Sequence, residues 1–335
     1  TVLAVLGPSP SQAQLKMAAS VKGLTLIDTG LPLDWLARTR ASLKSAGLAI
    51  AKLAENHSVD IVQLHAPALA AGAEFPAPVV AVNHSCLATW WGSVKDTPIE
   101  GAYQWRSDLS AEGLKKADRV VTPSAAFSAA TKEAHDLPVL PTTVHNGRTP
   151  LVLPRVAPHD FAFTAGRLWD KGKNLATLDR AAADLPVPLY MAGPQQGPSG
   201  DGIELEHARA LGNLSEKELA RWLAAKPVFV SAALYEPFGL AVLEAAAAGC
   251  PLVLSDIPTF RELWDGVATF LPAGDHLAFA RTIESIVGDD YLRTAMGAAA
   301  KERASRYTPE AMAREMLGIY RELAAVPAED GKVAA

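Results

Sequence analysis

Short runs rich in β-branched residues alternate with alanine-rich helical stretches along this chain, and the alternation breaks once, between residues 148 and 160, where three prolines fall without periodicity. Such an order calls for parallel strands covered by helices, and a single break calls for two such units joined by a linker. Strands are expected at residues 2–6, 24–28, 60–64, 78–82, 119–122 and 142–145, then at 161–164, 187–191, 228–231, 252–254 and 268–270. Helices are expected at 34–55, 100–117 and 124–134, then at 174–183, 215–224, 238–248, 276–287 and 291–305. The expected division is a first domain over residues 1–147, a linker over 148–160 and a second domain over 161–308. A C-terminal helix over 309–325 and a disordered tail over 326–335 follow. A chain of 335 residues has the length for two α/β domains. Sheets of this kind bind ligands beyond the C-terminal ends of their strands, so the two halves are expected to share a cleft.

Composition narrows what that cleft takes. Apolar residues make up 49% and charged residues 20%, as in a globular protein with a large core, and the net charge of −5 argues against electrostatic capture of nucleic acid or an anionic membrane. Peripheral membrane contact by other means stays open. Cys86 and Cys250 lie in apolar settings far apart in sequence, which reads as reduced core thiols and neither a disulfide framework nor a metal site. No apolar run has the length of a membrane span and the first residues carry no signal-peptide pattern, so a cytoplasmic location is expected.

One segment raises a chemical problem. In LYEPFGLAVLEAAAAGCPLVLSDIP, starting at Leu234, Glu244 sits inside an otherwise apolar helical run. A helix apolar on every side is buried, and a buried carboxylate is costly unless something polar reaches it. Pro237 suits the first position of a helix, which makes the N–H groups of Phe238, Gly239 and Leu240 free donors, with Glu244 about 9 Å further along. That offset suits a nucleoside diphosphate, its phosphates at the helix start and its ribose hydroxyls on the carboxylate. An internal arginine or a water would satisfy Glu244 equally well. A second anion site is suggested where the strand at 161–164 runs into Gly166, Arg167, Lys171 and Lys173 before a helix; the alternative is a solvated basic turn.

These segments occur in a specific order. GRLWDKGKN at 166–174 followed by YEPFGLAVLEAAAAGCPLVLSDIPTFREL resembles the donor-binding half of family-4 glycosyltransferases of the GT-B fold, with their E-x7-E signature. VNHSC at 82–86, ADRVVTPSAAF at 117–127 and VHNG at 144–147 are similar to segments of the same family in the same order. The resemblance implies an α/β protein of the GT-B class, two Rossmann-like doubly wound domains facing a cleft. It implies a retaining, metal-independent glycosyltransferase that needs no cofactor beyond its nucleotide-sugar donor; it leaves the acceptor unknown.

Residue by residue, the resemblance gives Arg167 and Lys173 the donor diphosphate, with Lys171 as the less suited alternative to Lys173. It gives Glu244 the ribose, Glu236 a place near the transferred sugar, and Gly239 and Leu240 the backbone donors at the phosphates. His84 matches a first-domain histidine facing the sugar; read alone it is a turn residue after a strand. Leu211 and Gly212 are candidates for the nucleobase wall. Trp90, Trp91 and Trp105 are candidates for an acceptor site or, as aromatic residues on helices, for the core. A nucleotide-sugar epimerase of the same fold and a two-domain binding protein without catalysis are the competing readings. The opening TVLAVLGPSPSQAQ resembles the second strand of the family's first domain, so a preceding strand, Gly-rich loop and helix are expected to be missing.

Overall fold

The structure is a computed structural model that describes residues 1–198 and 200–325; the tail expected over 326–335 lies outside the described residues. The second half carries one parallel six-stranded sheet. Its strands are numbered with those of the first half: β1 (Val2–Val5), β2 (Thr25–Asp28), β3 (Val62–Leu64), β4 (Val79–Val82), β5 (Arg119–Thr122) and β6 (Thr142–Thr143) precede β7 (Ala162–Ala165), β8 (Leu189–Ala192), β9 (Arg209–Gly212), β10 (Val228–Ser231), β11 (Leu252–Ser255) and β12 (Thr269–Leu271). The order across the large sheet is β12-β11-β10-β7-β8-β9. Successive strands therefore leave β7 in opposite directions, which puts the topological switch point between β7 and β10.

Strand periodicity builds this domain's core on both faces of the sheet. Phe229, Leu252 and Leu254 turn to the face covered by the helix Leu240–Ala248, while Val228, Val230 and Val253 turn to the face that packs on Leu178, Phe279 and Ile283.

In the first half β3-β4-β5-β6 form a parallel four-stranded sheet, and β1 and β2 pair in parallel with each other as a separate two-stranded sheet. The chain crosses between domains twice. The first crossing follows Asn146, and the second leads into the last helix, Pro309–Ala325, which returns to the first domain and buries Ile319 among Val80, Val82, Val121 and Val144. At the crossings the two passes touch backbone to backbone: Arg148 N donates to Tyr307 O at 3.2 Å, and a Cβ on Gly147 would stand 2.1 Å from Thr308 O.

Strand β9 and the helices Gln12–Ala19, Leu87–Val94 and Pro258–Trp264 add to the expected elements. The helix expected from residue 34 begins at Arg40, preceded by a single 3-10 turn at Asp34–Leu36; Thr39 accepts from Ser42 N and fixes the later start.

Candidate functional site

At the switch point, β7 leads into Ala165-Gly166-Arg167 and then into a 3-10 turn, Lys171–Lys173. Asp170 caps the turn by accepting from Gly172 N at 2.9 Å, and Asn174 ties its end to the neighbouring loops by donating to Ala232 O and Ala273 O. The Lys173 side chain is held between these anchors, 20% exposed, in an ion pair with Glu236, itself 16% exposed, from the loop after β10. Gly166, Lys173, Glu236, Ala241 and Val242 line a cavity of about 20 Å³ between the strand ends and the next helix, room for about one water. The structure thus brings Gly166, Lys173 and Glu236 to one point.

Arg167 stands at the rim, 58% exposed, and donates to Asp170 Oδ2 at 2.8 Å. Burial pushes the Asp170 carboxyl upward, but hydrogen bonds from Arg167, Trp90 and the Gly172 N–H outweigh it and hold the group below the usual carboxylate range. Lys171 is exposed on the same turn.

The helix after Glu236 begins at Leu240 and not at Pro237, which corrects the sequence expectation. Gly239 takes a left-handed conformation (φ 96°), so the helical run of dihedrals starts only after it, and Phe238 goes into the core. The free first-turn donors are therefore those of Leu240, Ala241 and Val242, with Leu243 N closing the first turn on Gly239 O at 3.0 Å. Glu244 lies about 6 Å along the helix, not 9 Å. The polar group that reaches it is Arg148 at the start of the linker, whose Nε donates to Glu244 Oε1 at 2.8 Å. Burial pushes the Glu244 carboxyl up, Arg148 opposes this, and Glu216 adds to it.

From the first domain, His84 follows β4 and meets a partner that sequence reasoning missed. His65, after β3, lies edge to edge with it, the ring planes 5° apart and the centroids 5.0 Å apart, and His65 Nδ1 lies 2.7 Å from His84 Nε2. Burial, and then the neighbouring His65, push His84 down to about 4, although part of its ring stays open to solvent. Both rings follow strand ends, the one signal by which His65 was findable.

The helix Leu87–Val94 carries one of the contacts between the domains. Trp90 Nε1 donates to Asp170 Oδ1 at 3.0 Å, so Trp90 is an interdomain contact; Trp91 is core, its Nε1 donating to Thr97 O. Trp105 packs at the edge of the first domain's core beneath the Arg106 guanidinium. Tyr235, beside Glu236, puts its hydroxyl 2.9 Å from Thr89 Oγ1, and burial pushes that phenol up. Glu262 accepts from the N–H groups of Ala125 and Ala126 and pairs with His145, fastening a second-domain helix to the start of the first-domain helix Ala125–His135. Leu211 and Gly212 end the edge strand β9, two strands away from β7, with Gly212 O accepting from Gly193 N. Among the described residues no three His, Cys, Asp or Glu side chains gather as a metal-binding group, and no helix is long and apolar enough to cross a membrane.

Comparison with known proteins follows the two halves. Residues 4–149 match the sequence model described as Glycosyltransferase Family 4, and residues 160–303 match that described as Glycosyl transferases group 1. A phosphatidyl-myo-inositol mannosyltransferase of Mycobacterium leprae is 34% identical over 144 residues, 41% of this chain and 38% of that enzyme, so the match spans less than half of its length. Among solved structures, sucrose-phosphate synthase from Thermosynechococcus elongatus superposes with a TM-score of 0.76 at 19% identity, covering 96% of this chain and 98% of the other. Anabaena HepE in complex with UDP-glucose does so with a TM-score of 0.72 at 18% identity, covering 96% and 99%. At these identities the two structures establish the GT-B architecture.

Proposed function

Because the chain belongs to the family-4 glycosyltransferases with the GT-B fold, we propose that it transfers a sugar from a nucleotide-sugar donor to an acceptor with retention of anomeric configuration. The observation that carries the reading is the convergence of Lys173, Glu236, Gly166 and the first turn of the helix Leu240–Ala248 at the switch point. Fixed cations and helix N–H groups there suit the negative charge that grows on a departing diphosphate. UDP-glucose, the molecule in the HepE structure, is the first donor to test.

In this reading the existing ion pairs are the resting state of the donor grip. Phosphate oxygens take over Lys173 from Glu236 and Arg167 from Asp170, which leaves Glu236 to accept a hydroxyl of the sugar. Ribose hydroxyls donate to Glu244 beside Arg148. The anomeric C1–O bond breaks with its electron pair going to the phosphate oxygen. The acceptor oxygen forms the new bond on the same face and gives its proton to that phosphate oxygen. None of the steps draws on a metal ion.

Incubation with UDP-glucose in the absence of an acceptor tests this, water then serving as a slow acceptor. Release of UDP together with α-glucose as the first anomer seen by proton NMR is expected. A new nucleotide-sugar epimer without UDP release would instead identify an epimerase, and β-glucose first would exclude retention.

A further inference from the structure

The hydrogen bonds around His84 form a chain that runs to the C-terminal helix. Tyr320, on Pro309–Ala325, donates its hydroxyl proton to Gln63 Oε1. Gln63 Nε2 stands 2.7 Å from His65 Nε2, and His65 Nδ1 stands 2.7 Å from His84 Nε2. With the Gln63 amide facing this way, each later link follows from the one before it. An amide nitrogen only donates, so His65 Nε2 accepts, and a neutral imidazole that accepts at one nitrogen carries its proton on the other. His65 Nδ1–H therefore donates to His84 Nε2. His84 is then left with its proton on Nδ1.

We propose that Tyr320, Gln63 and His65 are positioning residues that lock His84 in the Nδ1–H tautomer, so that it offers its substrate a hydrogen-bond donor. This rests on the reading of His84 as the first-domain group at the donor sugar; what the ring then recognises is an oxygen lone pair. A lone histidine would exchange between tautomers, and an Nε2–H form would have to be reset before it could serve. Both rings stay partly open to solvent, and the burial of their remaining faces lowers the pKa of each, which favours the neutral imidazole in which the chain has one direction. The arrangement spans 257 residues from Gln63 to Tyr320, so the last helix, besides covering the four-stranded sheet, sets the chemistry of a ring in the cleft.

The test uses the whole chain labelled with nitrogen-15 histidine, with the His84 signals assigned by their loss in His84→Gln. Wild type is expected to show a protonated Nδ1 and an unprotonated Nε2 at His84 near neutral pH. Tyr320→Phe keeps the ring in its apolar cluster but frees the amide, and Gln63→Met removes the donor to His65; both are expected to turn the His84 signals into a tautomer mixture. Calorimetry in the same variants is expected to show UDP-glucose bound about threefold to tenfold more weakly while UDP affinity holds, the loss of one hydrogen bond to the sugar. An Nε2–H tautomer in wild type overturns the proposal, as do nitrogen shifts in both variants identical to those of wild type. Wild-type protein that takes up neither UDP nor UDP-glucose overturns the donor reading, and the nitrogen shifts alone then decide the tautomer.

Discussion

Trp90 and Asp170 meet across the domain boundary, the indole N–H donating to Oδ1 at 3.0 Å while Oδ2 holds Arg167 at 2.8 Å. One carboxylate thus connects a first-domain helix to a guanidinium assigned to the donor phosphates. Gly172 permits the approach, since a Cβ there would stand 2.9 Å from Trp90 Nε1. Trp90→Phe keeps an aromatic ring and removes the donor, and is expected to cost about 1.5–3 kcal/mol, the range for hydrogen bonds to charged groups. Urea unfolding measures it; a midpoint equal to that of wild type would contradict the coupling.

The contact of Glu262 with the Ala125 and Ala126 N–H groups should depend on pH in a defined direction. Burial raises its carboxyl, but His145 and the two backbone donors outweigh this and hold it below the usual carboxylate range. A carboxyl lowered in the folded state contributes stability that is full above its unfolded pKa and is lost as pH falls through the folded one. The stability gap between wild type and Glu262→Gln is therefore expected to be constant near neutral pH and to shrink below about 4.3, the unfolded value. A gap of the same size near pH 3, by urea titration, would exclude this.

Arg167 and Lys173 are the cations assigned to the diphosphate, so Arg167→Ala and Lys173→Ala are each expected to weaken UDP binding by about tenfold to a hundredfold. Calorimetry checks it directly. Unchanged affinity in both variants would remove the assignment.

Arg148 is the partner of a carboxyl that burial already pushes up, with Arg148 the opposing influence. For a carboxyl raised in the folded state the sign reverses: stability is full below the unfolded pKa and declines as pH rises through the folded one. Arg148→Ala moves the folded pKa further up, so its loss of stability relative to wild type is expected to grow from acid toward neutral pH, as read from thermal midpoints. Its nucleoside affinity should fall with it. A pH-independent difference would mean that Glu244 stays ionised without Arg148.

The large elements were legible because their strands are buried on both faces and so are continuous in apolar residues, as in VVAV at β4 and LVLS at β11. Strand β9, RALG, was not, because an edge strand with Arg209 and Ala210 exposed carries no such run. The helix Leu87–Val94 contains Thr89, Trp90, Trp91 and Gly92, residues with little helical preference; Trp90 and Trp91 tie it to Asp170 and Thr97. At the site, the Lys173 turn and Glu236 were readable since each lies within one short local motif. His65 with His84, and Arg148 with Glu244, are pairs 19 and 96 residues apart in sequence, and no local pattern announces them. The misplaced helix start came from giving Pro237 more weight than a left-handed Gly239.

Gly147 lies so close under Thr308 that the two passages of chain between the domains act as one axle and not as two separate tethers. An axle leaves rotation as the easy motion and makes sliding costly, because sliding would pull backbone across backbone. Displacement then grows with distance from the pivot. Arg148 and Glu244 sit beside it and stay together through a swing, while the contacts of Trp90 with Asp170 and of Thr89 with Tyr235 are among those a swing must break. The cleft therefore has a still end and a sweeping end, and a molecule lying along it would be released from the sweeping end first.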